Sequence, residues 1–235
     1  MKNNFLKIIN IVKKKDYNFC RFDKKSIKKK SFYLRFDVDI SPYSAKKLGR
    51  ILYQKKIQAN FFFQINAETY NCFSAEIINI INNLRSQNHC VGLHIDEHLI
   101  KFNQIHDTII WFSNNICPID KVVSFHRPSE VIIGKKFKKF INTYENNFFN
   151  KDMYVSDSRN NKEFANKLNN LLEKKEEKIQ LLLHPEWWTK YIDEKIIFEE
   201  VLKRRDYELR EYLIKNFKKV FSKYNKKKMN NKKII

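Results

Sequence analysis

Glycine and proline are scarce in this chain, three and four among 235 residues, and no Gly- or Pro-rich linker divides it. It also lacks a GxGxxG or P-loop signature, so nucleotide phosphates find no obvious cradle. Its four cysteines, Cys20, Cys72, Cys90 and Cys117, show no CxxC spacing, and Cys90 falls in a core strand by its apolar neighbours. Free thiols in a reducing cytoplasm are the simplest account, and the expected location is cytoplasmic. No internal repeat is present, and no run approaches the ~18 consecutive apolar residues of a membrane span. Residues 1–15 are basic, with Phe5, Ile8, Ile9 and Val12 interrupted by Lys7 and Asn10, and no small-residue cleavage site follows. They read as an amphipathic helix and not as a signal peptide.

What the chain has in excess is positive charge, +21 in all. Such a balance ordinarily suggests nucleic acid or an anionic membrane. Here the excess is mostly lysine spread beside abundant asparagine and isoleucine, the mark of an AT-rich codon bias, and no stacking-aromatic motif or recognition-helix pattern accompanies it. No nucleic-acid partner is therefore expected. The densest cluster, Lys218 to Lys233, follows a helical pattern with Leu209, Leu213, Phe217 and Val220 on one face, and residues 223–235 read as a disordered basic tail. Solvated lysines are the plain reading of that tail. Weak association with anionic lipid, at ~1 kcal/mol per lysine near the surface, is the other.

Strand-like and helix-like segments alternate: 31–39 with 43–54, 58–63 with 75–86, and 90–94 with 99–115. The pattern continues with 121–126, then 153–156 with 163–173, then 179–184 with 194–224. Repeated β then α means a mostly parallel sheet, closed or nearly so. With 17–21 as an early strand the count is about seven, and the expected class is α/β, one domain over 1–222 ending in a helix at 194–222.

Within this frame, Phe36-Asp37-Val38-Asp39 and the later Gly92-Leu93-His94-Ile95-Asp96-Glu97-His98 carry the chemistry. A strand period of two puts Arg35, Asp37 and Asp39 on one side and Leu34, Phe36 and Val38 on the other. Two carboxylates this close resist joint ionisation unless a cation is near, although Asp39 before Ser41-Pro42 also suits a helix cap. His94 and His98, four apart, can share one ion on a helical turn or tight loop. An aspartate with two such histidines makes a three-ligand set with an open position, and a second carboxylate nearby can serve as a base. That combination reads as hydrolysis.

Five stretches, Leu34-Arg35-Phe36-Asp37-Val38-Asp39-Ile40-Ser41-Pro42, Ala59-Asn60-Phe61-Phe62-Phe63, Val91-Gly92-Leu93-His94, Ser124-Phe125-His126-Arg127-Pro128 and Leu181-Leu182-Leu183-His184-Pro185-Glu186-Trp187-Trp188, occur in one order. Together they resemble the polysaccharide deacetylases, the carbohydrate esterases that include chitooligosaccharide and peptidoglycan deacetylases. The nearest likeness is to a subgroup with Asp-Val-Asp in place of Asp-Asp, often encoded among bacterial surface-glycan genes, with its motif core over 31–190.

The resemblance implies an irregular (β/α) barrel of about seven strands. It also implies Asp37 as general base, Asp39, His94 and His98 as ligands of one divalent ion, zinc first among candidates, and His184 as general acid tuned by Asp157. The family's Arg-x-Pro pattern falls on His126 when aligned on Pro128 and on Arg127 when aligned on the arginine; Arg127 is taken as the group orienting Asp37. Trp187 and Trp188 are candidates for a substrate wall or for a plug in the barrel's end, and His126 is placed with them on the substrate side. The implied activity is removal of an N-acyl group, most simply acetyl, from an amino sugar of a surface-glycan precursor. Hydrolysis of another linear or cyclic amide, or an inactive glycan- or protein-binding barrel, are the alternatives.

Overall fold

An eight-residue strand, Ser31–Val38, is buried from end to end, so both faces of the sheet it belongs to are covered at that point. The computed structural model describes residues 2–24, 30–158, 163–189 and 193–224. Its strands are β1 (Asn18–Phe19), β2 (Ser31–Val38), β3 (Asn60–Gln64), β4 (Cys90–Asp96), β5 (Val122–His126), β6 (Ile141–Asn142), β7 (Tyr154–Ser156) and β8 (Lys178–Leu183). The helices are α1 (Lys2–Lys14), α2 (Pro42–Gln54), α3 (Ala75–Ser86), α4 (Ile105–Asn115), α5 (Phe164–Lys174), α6 (Glu194–Asn216) and α7 (Lys218–Phe221). The chain packs as two compact units, Met1–Tyr191 and Ile192–Ile235.

In the first unit the strands pair in the order β6-β5-β4-β3-β2-β8-β7, every pair parallel. β1 pairs with the start of β2, at Ser31 and Phe32, below the point where β3 joins at Arg35. Laid flat, β8 and β6 would stand five strand spacings apart, ~24 Å. Instead Gln180 of β8 donates through Nε2 to the carbonyl of Thr143, one residue past β6, at 2.9 Å. The sheet therefore curls into a barrel, which is the expected (β/α) architecture. Among the described residues no pairing joins β6 to β7, so the barrel stays open on that side.

Alternation along the strands makes two apolar layers. Phe32, Leu34, Phe36 and Val38, with Phe61, Phe63, Val91, Leu93, Leu181 and Leu183, belong to the outer core with the apolar stripes of α1 to α5. A smaller cluster, Phe22, Tyr33, Phe62, Cys90 and Val122, fills the barrel's interior. Gly92 is fixed by this crowding: a Cβ there would lie 2.1 Å from the Val122 carbonyl oxygen. Ser41 caps α2, its hydroxyl accepting from the Ser44 N–H, with Pro42 at the first helical position.

Residues 2–14 form the expected amphipathic helix, burying Phe5, Ile9 and Val12. None of the four cysteines is joined in a disulfide. Two details depart from expectation. β6 adds a strand too short, at two residues, to show a period, and α4 begins at Ile105 because residues 96–100 form a turn closed by Leu99 N–H to the Asp96 carbonyl.

In the second unit Asp193 caps α6 by accepting from Lys195 N–H. The helix expected over 194–224 is interrupted at Phe217 (φ −121°, ψ 46°), after which come α7 and a single turn, Ser222–Tyr224. Residues 225–235, most of the expected basic tail, lie outside the described residues. No described helix is long and apolar enough to cross a membrane.

Candidate active site

Parallel strands in one register bring their carboxyl ends to one mouth, where sites in α/β folds collect. The inward side chains there are Arg35 and Asp37 of β2, His94 of β4, and Ser124 and His126 of β5. Asp39 follows β2 by one residue, and His184 directly follows β8.

Arg35 is entirely enclosed and grips Asp37 with two bonds, Nε to Oδ1 at 2.9 Å and an Nη to Oδ2 at 2.7 Å. Its Nη1 donates to Gln180 Oε1 (3.0 Å), and the Nη2 that holds Asp37 Oδ2 also lies 2.5 Å from Ser124 Oγ and 2.9 Å from the Tyr144 hydroxyl. Burial disfavours the charge on Arg35, but the adjoining Asp37 and Tyr144 hold it protonated. Burial likewise pushes Asp37 up, and Arg35 and His94 more than reverse this, leaving its carboxyl below the ordinary range. A fully buried fork of this kind is specific to arginine. The sequence reading placed Arg127 in this role, and that is corrected: Arg127 is exposed, at φ 51°, and Arg35 holds Asp37.

Ser124 orders the next layer. Its hydroxyl donates to the Asp37 carboxylate (2.9 and 3.0 Å), so it must accept from Arg35 and from His94 Nδ1 at 2.9 Å. His94 Nδ1 also lies 3.2 Å from the Ser124 carbonyl, which only accepts. In the neutral form the network assigns the proton of His94 to Nδ1 and leaves a lone pair on Nε2, whereas with no cation bound the lowering by burial is outweighed by Asp37 and Asp39, which raise the imidazole, so that Nε2 is also favoured to carry a proton.

That lone pair faces Asp39 Oδ1 at 3.2 Å and His126 Nδ1 at 3.1 Å. Asp39 Oδ1 is buried and has no hydrogen-bond partner. Acceptors meeting in this way demand a proton or a cation between them. Burial would raise Asp39, but His94, His184 and His126 hold it below the ordinary carboxylate range. Burial lowers His126, and His94 adds to the effect. One ligand atom from each of Asp39, His94 and His126 lies within 4.8 Å of the other two. Two imidazoles and a carboxylate suit zinc or a first-row neighbour.

His98 does not join them. β4 continues to Asp96 and then turns, so residue 98 has neither the helical nor the strand relation to His94; its side chain is exposed and its N–H bonds Asp96 Oδ1. His98, read from the sequence as a ligand, thus lies outside the cluster, and the structure brings into its place His126, which the sequence reading put on the substrate side. Its signal was register: β5 lies next to β4 with His94 opposite Ser124, so the inward residue one step beyond is His126.

His184 reaches the same mouth from the neighbouring strand: Leu183 of β8 is paired with Phe36 of β2, so His184 follows at the level of Asp37. Its Nδ1 lies 2.6 Å from Asp157 Oδ1, and its backbone N–H also bonds that carboxylate. Nε2 is left pointing toward the mouth, 3.6 Å from Asp39 Oδ2. Burial lowers the imidazole, but the Asp157 bond and charge outweigh it and lift His184 to about 9. Asp157 takes a further bond from Trp188 Nε1 at 2.6 Å. Trp188 is buried against Phe5 and Phe164, so it fixes Asp157 and is not a substrate wall; Trp187 is partly exposed beside it.

Glu186, in the same turn, is enclosed with Oε2 unpartnered, and burial pushes its carboxyl up to about 8. It keeps its proton when folded and loses it near 4.5 when unfolded, so between those values the folded state binds more protons and stability falls as pH rises. Glu186→Gln is expected to remove up to ~1.4 kcal/mol per pH unit of that slope. Urea unfolding across this window checks it, and an unchanged slope in the variant would show that the carboxyl ionises freely.

Fold and site together define a parallel β/α barrel with an Asp-His-His cluster at its mouth, accompanied by a buried Arg-Asp pair and an Asp-His pair. No family model matches the chain, and no curated protein matches it. Among solved structures it is similar to the chitin deacetylase of Colletotrichum lindemuthianum (17% identity, 74% of this chain and 81% of that one, TM-score 0.45). It is also similar to the catalytic domain of a peptidoglycan N-acetylglucosamine deacetylase from Eubacterium rectale (14%, 79% and 88%, 0.43). A third is a family 4 carbohydrate esterase from Bacillus anthracis (16%, 83% and 85%, 0.41).

Proposed function

We propose that this protein is a metal-dependent amide hydrolase of the polysaccharide deacetylase type, removing an N-acyl group, acetyl in the simplest case, from an amino sugar of a glycan or its precursor. The observation that carries the reading is the placement of two differently tuned groups beside one candidate ligand cluster, Asp37 held ionised 3.6 Å from His94 and His184 held protonated 3.6 Å from Asp39. Pairs of titratable groups pushed apart in this way mark a base and an acid.

A divalent ion, zinc by its donor set, held by Asp39, His94 and His126 would supply Lewis-acid polarisation of an acyl carbonyl. Asp37, oriented by Arg35 and Ser124, accepts a proton from the attacking water. His184 Nε2 gives a proton to the departing nitrogen, and Asp157 with Trp188 holds the imidazole in the orientation that presents it. Trp187, partly exposed beside His184, is placed to meet the apolar face of a sugar. Four cysteines with no disulfide among them suit a reducing compartment, in keeping with a cytoplasmic precursor as substrate.

Acetate release tests the substrate class. The purified protein is incubated with N-acetylated oligosaccharides and nucleotide-linked N-acetyl sugars, with and without a chelator. Release that chelation abolishes and added divalent metal restores is expected from at least one of them. A metal-loaded protein that releases acetate from none would remove the amino-sugar reading.

A further inference from the structure

The second unit carries its charge unevenly. Residues 194–211 hold five basic and six acidic side chains, and several pair along the helix, as in Arg205 with Glu208 and Arg210 with Asp206. From residue 212 to 235 there are nine lysines, no arginine and no acidic residue. A codon bias toward lysine does not by itself remove acids from one stretch and leave them in the one before it.

Those lysines flank a run of aromatic rings. Tyr212, Phe217, Phe221 and Tyr224 touch in sequence across the break between α6 and α7, with centroids 6.3, 6.2 and 6.4 Å apart. Tyr212, Phe217, Val220 and Tyr224 are 57, 48, 59 and 64% exposed, unusual for large apolar groups placed so close together. Lys223 lies over the Tyr224 ring at 5.2 Å. Rings that sink to headgroup depth beside long-stemmed lysines are the composition of an interfacial membrane segment.

We infer that the end of α6, α7 and the turn after it form a seat for an anionic lipid bilayer, with Phe217, Val220 and Tyr224 entering the headgroup boundary and the lysines pairing with lipid phosphates. A single-stranded nucleic acid fits less well. Its bases need open ring faces, whereas these rings meet edge-on or tilted with the aliphatic Val220 among them, and arginine, the preferred partner of nucleic acid, is absent. The inference does not depend on the reaction proposed above.

Co-sedimentation of the full chain with vesicles of phosphatidylcholine alone, and of phosphatidylcholine mixed with phosphatidylglycerol, tests it. Binding is expected to the mixed vesicles only. A Lys218→Gln, Lys219→Gln, Lys223→Gln variant should bind about a hundredfold more weakly, at roughly fivefold per lysine. A Phe217→Ser, Val220→Ser, Tyr224→Ser variant keeps every charge and should lose the binding that survives raised salt. Circular dichroism of each variant checks that its helices are kept. Absence of vesicle binding, equal binding to both vesicle types, or wild-type binding by the ring variant would overturn the inference. So would tighter, ring-dependent binding of a single-stranded oligonucleotide, or ring-dependent self-association without lipid.

Discussion

Replacing His184 by Ala is expected to cut amide cleavage by ~10²–10⁴-fold while leaving cleavage of an aryl acetate within a few-fold of wild type. The nitrogen of an amide leaves only once protonated, whereas a phenolate needs no proton. His184 is suited to supply that proton, because Asp157 holds Nδ1 at 2.6 Å and the imidazole is lifted to about 9, so Nε2 is protonated at neutral pH. The ratio of the two activities is independent of how much of the variant folds. Equal losses on amide and ester, with metal retained, would make His184 a group that positions substrate and not the acid.

Asp37→Asn is expected to keep metal and lose ~10²-fold or more in turnover, the scale of a general base. The companion change, Arg35→Lys, tests what holds that base. A lysine supplies charge without the fork, so the Asp37 carboxyl, now held below its ordinary range, rises. Because the base works only when ionised, the acid limb of the pH profile should move to higher pH. Arg127→Lys should leave that limb in place, since Arg127 is exposed. A limb that moves with Arg127 and not with Arg35 would restore the sequence-based assignment.

The contrast between these two arginines shows how far the sequence carried. Strand parity already put Arg35 on the side of Asp37 and Asp39, and the structure bears this out. The motif reading looked past Arg35 to a later arginine, because two-residue proximity inside a strand is local geometry, whereas the approach of β5 to β2 is a product of barrel closure. Ser124 illustrates the same point: it opens one of the five stretches without a role read for it, yet curling the sheet brings it to Asp37, Arg35 and His94 at once.

His98 failed for a different reason. Spacing of four means a shared face only on a helix, and β4 runs through His94 to Asp96. His126 answers to register between strands, which a single sequence states only once the strand order is known. Strands with strong apolar runs, β2 to β5 and β8, were legible from composition, while the two-residue β6 and the break at Phe217 depend on tertiary packing and backbone angles that carry no periodic signal.

The direct test of the proposed centre is metal content in single variants of the purified protein. Wild type is expected to hold about one divalent ion, as a site with three protein ligands does. His126→Ala and His94→Ala should both lose stoichiometric metal, and His98→Ala should keep it, with circular dichroism confirming that each is folded. Full occupancy in His126→Ala together with loss in His98→Ala would contradict the ligand set read from the structure, and absence of metal from wild type under every loading condition would contradict the centre itself.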